Sequence, residues 1–236
     1  MRVSPVKTRI FRESEDLVAF IKQHVSKLKN GSILAVTSKI VALAEGRTAN
    51  IKDLKRVVRQ ESEWAMKAKY VWLTEKDGLL VANAGVDASN AHGKLVLLPE
   101  DSFLSAAELK RSLMERYDIS YHFGILITDS RVMPLRAGVT AVALGYAGFR
   151  GLRDYRGKKD IFGRTLKFTQ TNVADSLATA AALAMGEGRE RQPLCVITGA
   201  PAEFTDGFDR LTTSRNELRI PFKDDMYAPL FKKKPQ

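Results

Sequence analysis

Polar side chains that can bind ligands stand directly after two apolar runs of the sequence. Residues 32–37 form a short apolar run typical of a buried strand, and Ser38 and Lys39 follow it. Residues 123–128 form a second such run, which is followed by Asp129. Ligands commonly gather where the strands of an α/β sheet end, so these side chains are candidates for a binding site. The alternatives are an Asp that begins a turn and a Lys that is solvated.

Two further groups of polar residues lie in segments without apolar periodicity. Asn83, Asp87 and Asn90 lie in a glycine-bearing segment, where Asn and Asp are also ordinary turn residues. Residues 150–164 are polar and strongly basic, predict a loop, and contain Asp160. This basic character suits a polyanionic ligand, although a run of charges is usually a solvated surface. The candidates for contact with such a ligand are Arg136, Arg153, Arg156 and Arg164.

The elements that must position these residues alternate irregularly, which indicates an α+β fold with mixed sheets and packed helices. Residues 172–185 predict an alanine-rich helix. Residues 105–117 predict another helix, capped by Ser102 or Ser105, with Glu108 placed as a capping box requires. The other predicted helices are 15–28, 38–44 and 51–68, and the other predicted strands are 70–74, 79–82, 140–147 and 193–198.

Composition limits the class of protein. The 236 residues suffice for one large domain or two small intertwined ones, and 44% hydrophobic content predicts a soluble globular chain. No run approaches the roughly 18 apolar residues that cross a bilayer. The charged start has no apolar signal core, so the cytoplasm is the expected location. The single cysteine, Cys195, excludes an internal disulfide and lies in an apolar run that predicts a core position.

The net charge of +11 suits either nucleic acid or small anionic ligands. The sequence has no zinc-finger spacing and no aromatic RNA-binding signature, which makes nucleic acid the weaker prediction. A Walker loop and a dinucleotide fingerprint are also absent from the sequence, so a bound nucleotide requires a less common arrangement.

Four groups of residues, taken in order along the chain, carry a family resemblance. They are 36–41 with 44–47; 82–90 with 97–99; 124–129 with Pro134, Arg136 and Gly138; and 154–157 with Asp160, 163–164, 173–175 and 185–186. Each group alone is weak, but the ordered set resembles the F420-0:γ-glutamyl ligase family over about residues 1–200.

The resemblance implies a ligase that uses GTP, with Mg²⁺ or Mn²⁺, to activate a carboxylate as an acyl phosphate. The amine of L-glutamate then attacks to form an amide, and the implied acceptors are coenzyme F420-0 or a folate. The resemblance also implies a homodimer. We expect one F420 ligase-like domain over residues 1–236, with two interleaved subdomains as the alternative. Residues 200–236 are polar and predict no clear element.

The implied chemistry requires carboxylates for the metal, and cationic, hydroxyl and amide groups for the nucleotide. The implied metal ligands are Asp129, Asp160 and Asp175. A carboxylate in the first turn of a helix, such as Asp175, is also favoured by the helix dipole alone. The implied nucleotide and substrate contacts are Thr37, Ser38, Lys39, Arg47, Asn83, Asp87, Asn90 and Arg136. The resemblance assigns no catalytic residue.

The chain departs from the family pattern at three places. A Gly-Arg pair of the family is Val132 and Met133 here, which removes a close backbone approach and an anion-binding fork. A Glu after Asp175 is replaced by Ser176, and a Ser-Lys pair by Ala42 and Leu43. These changes favour either a retuned acceptor or a non-catalytic descendant that binds a nucleotide or cofactor. A basic nucleic-acid-binding protein is the third hypothesis, which the charge alone motivates.

Overall fold

The computed structural model describes residues 1–205 and 217–231. None of the helices in these ranges has the length and apolar character to cross a membrane. The helices are α1 (Leu17–His24), α2 (Ser38–Ala44), α3 (Leu54–Glu61), α4 (Ser102–Tyr117) and α5 (Val173–Met185). The strands are β1 (Arg2–Val6), β2 (Ser32–Thr37), β3 (Thr48–Asn50), β4 (Trp64–Lys67), β5 (Trp72–Lys76), β6 (Leu79–Ala82), β7 (Lys94–Val96), β8 (Phe123–Val132), β9 (Val139–Ala147), β10 (Leu152–Asp154), β11 (Gln170–Asn172) and β12 (Leu194–Thr198).

The main sheet has five strands in the order β1-β12-β2-β8-β9. The β2–β8 pair is parallel, and the other three pairs are antiparallel. The first five residues of β2 are buried, as expected of a strand that is covered on both faces. Because β2 and β8 are parallel neighbours, they end at the same edge of the sheet, and the residues that follow them lie close together.

Helices cover both faces of the main sheet. One core cluster joins α1, α2 and α4 to side chains of β2 and β8 such as Val36 and Ile127. The other core cluster joins α5 to the alternate side chains Ala35 and Leu126, and it contains the buried Cys195. The prediction that Cys195 is a core residue is confirmed. Because side chains alternate along a strand, the two clusters lie on opposite faces of the sheet.

A smaller core lies in the segment between α2 and α4. The three-stranded sheet β4-β5-β6 leads into a short 3₁₀ turn, Asn83–Gly85, and the strands β3 and β7 form a separate pair. Residues of α3, of this turn and of β7 bury apolar side chains against one another. Val96 of β7 also packs against Ala42 of α2, which links this segment to the end of the main sheet.

The α+β fold with mixed sheets is confirmed, but three local predictions are wrong. The predicted helix 51–68 is interrupted, because residues 64–67 pair with β5 as a strand. The N-cap of α4 is Asp101, whose carboxylate accepts from the Leu104 N–H, rather than Ser102 or Ser105. The predicted loop 150–164 contains β10, which pairs with β11. The unassigned segment 200–236 is described over 200–205 and 217–231, which contain the 3₁₀ turns Phe222–Asp224 and Ala228–Phe231.

Candidate functional site

The parallel pairing of β2 and β8 brings two of the predicted site residues together. Thr37 and Thr128 are partners in the register, so the next residues, Ser38 and Asp129, are neighbours. The Ser38 hydroxyl donates to Asp129 Oδ1 over 3.0 Å. Ser38 is buried at the start of α2, and Asp129 is half-buried. The end of the central strands therefore holds a carboxylate that is shielded but still reachable.

A salt bridge from Lys39 adds a second carboxylate to this group. Asp87 is held by a β-bridge to Val96, whose side chain packs against α2. Lys39 Nζ lies 2.7 Å from Asp87 Oδ2 and donates to the Ser89 carbonyl oxygen over 2.7 Å. The Ser89 hydroxyl donates to Asp87 Oδ2 over 2.6 Å. We call Ser38, Lys39, Asp87, Ser89 and Asp129 the strand-end cluster.

The two carboxylates of the strand-end cluster have opposite shifts of pKa. Burial raises the pKa of Asp129 to about 6, although the Ser38 hydrogen bond and the nearby Lys39 charge act against this rise. Burial also opposes ionisation of Asp87, but hydrogen bonds from Lys39 and Ser89 outweigh it and hold its pKa below the usual value. Asp87 is therefore neutralised by Lys39, whereas Asp129 lacks a direct cationic partner among the described residues.

Two more predicted contacts lie beside the strand-end cluster. Thr37 is the N-cap residue of α2, and its N–H donates to the Pro193 carbonyl oxygen over 3.0 Å. The Asn90 amide donates to the Gly188 carbonyl oxygen over 3.4 Å, in the loop that follows α5. From the same loop, Glu187 accepts a hydrogen bond of 2.8 Å from the hydroxyl of Ser130. The fourth group of family-like residues thus ends next to the cluster.

Arg47 and Asn83 have structural partners away from the strand-end cluster. Arg47 lies 2.7 Å from Glu61, which also binds Lys76, and it donates to the Leu98 carbonyl oxygen over 3.1 Å. Asn83 accepts from the N–H of Trp72 over 2.9 Å. These contacts stabilise the smaller core, and a role in nucleotide binding remains a prediction for both residues.

Arg136 and Asp160 lie in exposed turns that the structure does not bring to the cluster. Arg136 is at the tip of the β8–β9 hairpin, close to the exposed Val132 and Met133. Asp160 lies between β10 and β11, where its carboxylate accepts from the N–H groups of residues 162 and 164, both over 2.8 Å. Asp160 therefore shapes a tight turn.

Asp175 lies on α5, on the opposite face of the sheet from α2. Its Oδ1 accepts from the Ala143 N–H over 2.8 Å, and its Oδ2 accepts from the Asn172 amide over 2.8 Å. Asn172 caps α5 by accepting from the Asp175 N–H. The hydroxyl of Ser176, which replaces the family's Glu, donates to the Asn172 carbonyl oxygen over 2.6 Å. These side chains hold the first turn of α5 against the edge strand β9.

The arrangement fits a metal that also binds phosphates better than a metal enclosed by protein. Residues 1–205 and 217–231 contain no group of three His, Cys, Asp or Glu side chains that is placed to hold a metal ion. Mg²⁺ is usually held by one or two carboxylates together with water and substrate phosphates. Asp129 and Asp87 supply two carboxylates, and Lys39 supplies a cation for a phosphate. The strand-end cluster therefore fits a metal–nucleotide complex.

Sequence reasoning missed Ser89 and Glu187, although both lie in or directly beside family-like segments. Ser89 lies two residues after Asp87, inside the family-like segment 82–90, where an Asp side chain commonly binds the second N–H after it. Glu187 directly follows the segment that ends α5 and depends on tertiary contact with Ser130.

Comparison with known proteins places the chain in a family. The sequence matches the family described as F420-0:Gamma-glutamyl ligase over residues 5–199. It is 32% identical to the coenzyme F420:L-glutamate ligase of Methanopyrus kandleri, across 95% of this chain and 96% of that relative. It is also 32% identical to the protein of that name from Methanocaldococcus jannaschii, across 91% of this chain and 85% of the relative. The chain belongs to the F420-0:γ-glutamyl ligase family.

Proposed function

We propose that this protein is a metal-dependent ligase that forms a γ-glutamyl amide bond between L-glutamate and a carboxylate acceptor, with GTP as the cosubstrate. Coenzyme F420-0 is the first acceptor to test, since relatives similar along most of their length carry the name coenzyme F420:L-glutamate ligase. A folate is the second. The observation that carries the proposal is the strand-end cluster, which places Lys39 and two carboxylates at one end of a parallel strand pair.

The reaction requires two transfers. An acceptor carboxylate oxygen attacks the γ-phosphorus of GTP, so that GDP leaves and an acyl phosphate forms. The amine of glutamate then attacks the acyl carbon, loses a proton, and displaces inorganic phosphate. Lys39 can neutralise negative charge on the transferred phosphoryl group, and the Ser38 hydroxyl can donate to a phosphate oxygen. A bound Mg²⁺ or Mn²⁺, held by Asp129 and Asp87, would supply further positive charge at the phosphates.

Opening of the Lys39–Asp87 pair is part of this proposal. The Lys39 side chain is 26% exposed and that of Asp87 is 47% exposed, so water competes for this ion pair. If a metal–nucleotide complex binds here, Lys39 would hold a phosphate and Asp87 would hold the metal in place of each other. Because the pair balances one positive and one negative charge, the exchange leaves no buried charge alone.

We also propose that the protein acts in the cytoplasm as a homodimer. Support for the dimer comes from apolar side chains that are exposed in the single chain, at the β8–β9 hairpin and between β10 and β11. They are Leu135, Ile161, Phe162 and Phe168. Sedimentation analysis tests the dimer, and a monomer at micromolar concentration would contradict it.

Titration calorimetry tests the proposed site. GTP and ATP are titrated with and without Mg²⁺ or Mn²⁺ into the wild type, Asp129→Asn and the control Asp118→Asn. Asp118 is an exposed residue with left-handed backbone at the end of α4, a conformation that Asn also adopts readily. We expect metal-dependent GTP binding that only Asp129→Asn weakens. Release of phosphate that requires glutamate and an acceptor then identifies the ligase, and binding without turnover identifies a non-catalytic descendant.

A further inference from the structure

Glu217, beyond the segment that matches the family, inserts its carboxylate beneath the start of α5. Glu217 Oε2 accepts from the Tyr146 hydroxyl over 2.6 Å and from the Gly151 N–H over 2.9 Å. Tyr146 is fully buried. Burial and the adjacent Glu217 raise the pKa of Tyr146 well above its usual value, so its hydroxyl remains protonated and donates.

Gly151 links Glu217 to α5 through hydrogen bonds. Its carbonyl oxygen accepts from the N–H groups of Val173 and Ala174, over 2.8 and 3.1 Å. These are the first two residues of α5, whose N–H groups have no acceptor within the helix. A Cβ at position 151 would lie 2.2 Å from the Tyr146 hydroxyl oxygen, so only glycine fits between these groups. A continuous chain of hydrogen bonds therefore runs from Glu217 to the first turn of α5.

The next two residues extend the same contact to the smaller sheet. Leu218 packs against the core cluster beneath α5. The Arg219 guanidinium donates to the Asp77 carbonyl oxygen, in the turn between β5 and β6, and its side chain lies against Gly78. Residues 217–219 thus contact the residue that holds the start of α5, the core beneath α5 and the smaller sheet.

We propose that Glu217 is a positioning residue for the ligase reaction. It fixes the first turn of α5 through Gly151, and in that turn Asp175 accepts from the N–H of Ala143 in β9, the strand that pairs with the Asp129 end of β8. The inference rests on the proposed function, since the position of Asp129 affects metal affinity only if a metal–nucleotide complex binds at the strand-end cluster. Groups that orient metal ligands typically change metal affinity or activity by about 10- to 100-fold when they are removed.

Three proteins test this role beside the wild type. Glu217→Ala removes the acceptor, and Glu217→Gln retains an oxygen for the Gly151 N–H. Glu203→Ala is the control, because the contact of the Glu203 side chain in the described part of the chain is an exposed ion pair with Arg150. Hydrogen exchange at the N–H groups of residues 173 and 174 reports the position of α5. Mn²⁺ affinity in the presence of GTP, together with kcat and KM for each substrate, reports the function.

We expect faster exchange at both N–H groups in Glu217→Ala, and Mn²⁺ affinity lowered by about 10- to 100-fold. Glu217→Gln should restore most of both, and Glu203→Ala should match the wild type. Wild-type exchange in Glu217→Ala would overturn the proposal, and so would faster exchange with unchanged Mn²⁺ affinity and kcat. If Glu217→Ala does not fold, the Gln variant decides: a Glu217→Gln protein that folds but binds Mn²⁺ at least 10-fold more weakly than the wild type overturns the proposal equally. A wild type that binds neither Mn²⁺ nor GTP overturns the proposed function first, which separates the two failures.

Discussion

The strand-end cluster and the first turn of α5 each contain a predicted metal ligand, but they use their carboxylates differently. In the cluster, Asp129 accepts from the hydroxyl of Ser38, and Asp87 pairs with the flexible Lys39. At α5, Asp175 accepts from the N–H of Ala143 in the edge strand β9 and from the helix cap Asn172. Side-chain partners can turn towards a ligand, whereas strand N–H groups cannot. The comparison supports the proposal that the first region binds the metal–nucleotide complex and that the second holds α5 in place.

The largest expected effect separates the two regions by function. Asp129→Asn keeps the size of the side chain and its hydrogen bond to Ser38 but removes the negative charge that would hold the metal. We expect ligase turnover to fall by about a hundredfold or more, by analogy with the removal of one preorganised electrostatic group. Phosphate release in the presence of GTP, glutamate and F420-0 measures this effect. Near wild-type turnover in this variant would break the comparison.

The same substitution should stabilise the fold. The pKa of Asp129 is raised from 3.8 to about 6, so the folded state holds its proton more tightly than the unfolded state does. The resulting stability is complete below about pH 4 and is lost as the pH rises through about 6. At pH 8 we therefore expect Asp129→Asn to unfold with a free energy higher by up to about 3 kcal/mol. Urea denaturation between pH 4 and 8 should show this advantage disappearing at the acidic end.

Asp175→Ala should have the opposite effect and lower the free energy of unfolding. The substitution leaves the Ala143 N–H and the Asn172 amide without their carboxylate acceptor, at a cost of about 2 kcal/mol in the free energy of unfolding. Urea denaturation at pH 7 measures the loss. Ser176→Ala is the matched control in the same turn, because its exposed hydroxyl returns only to the helix backbone. Equal stability of both variants would mean that Asp175 does not hold α5 in place.

The smallest expected effect lies between the two regions. Thr128 precedes Asp129 and pairs with Ala143, and its buried hydroxyl has no hydrogen-bond partner within the described residues. Thr128→Val replaces this hydroxyl with a methyl group of similar size and should raise the free energy of unfolding by about 1 kcal/mol. A loss of stability would show that the hydroxyl is satisfied in solution, for example by water.

The sequence predicted the elements whose apolar pattern matches their local environment. The strand 32–37 and the helix 172–185 agree closely with β2 and α5, because each buries a regular set of side chains. Residues 64–67 were predicted as helix, since Ala, Met and Lys favour one. Pairing with β5 overrides this preference. β1 was not predicted, because its strand partner within the described ranges is β12, which is distant in sequence.

The structure brings together the site candidates that follow the two parallel strands. Ser38 and Asp129 follow paired strands, so their contact follows from the register of β2 and β8. The neighbours of Asp87 depend on the packing of residues 87–96 against α2, which no local pattern reveals. The Arg47–Glu61 contact was missed for the same reason, because the partners of a charged side chain are set by tertiary structure.

The pairing of β1 with β12 has a consequence for protein synthesis. Residues 2–6 leave the ribosome well before their partners, residues 194–198, which are made about 190 residues later. At roughly 5–20 residues per second, the first strand waits about 10 to 40 s for its place in the sheet. Pro5 lies in this strand and cannot donate a backbone hydrogen bond, which makes the waiting segment a poorer template for the strands of neighbouring nascent chains.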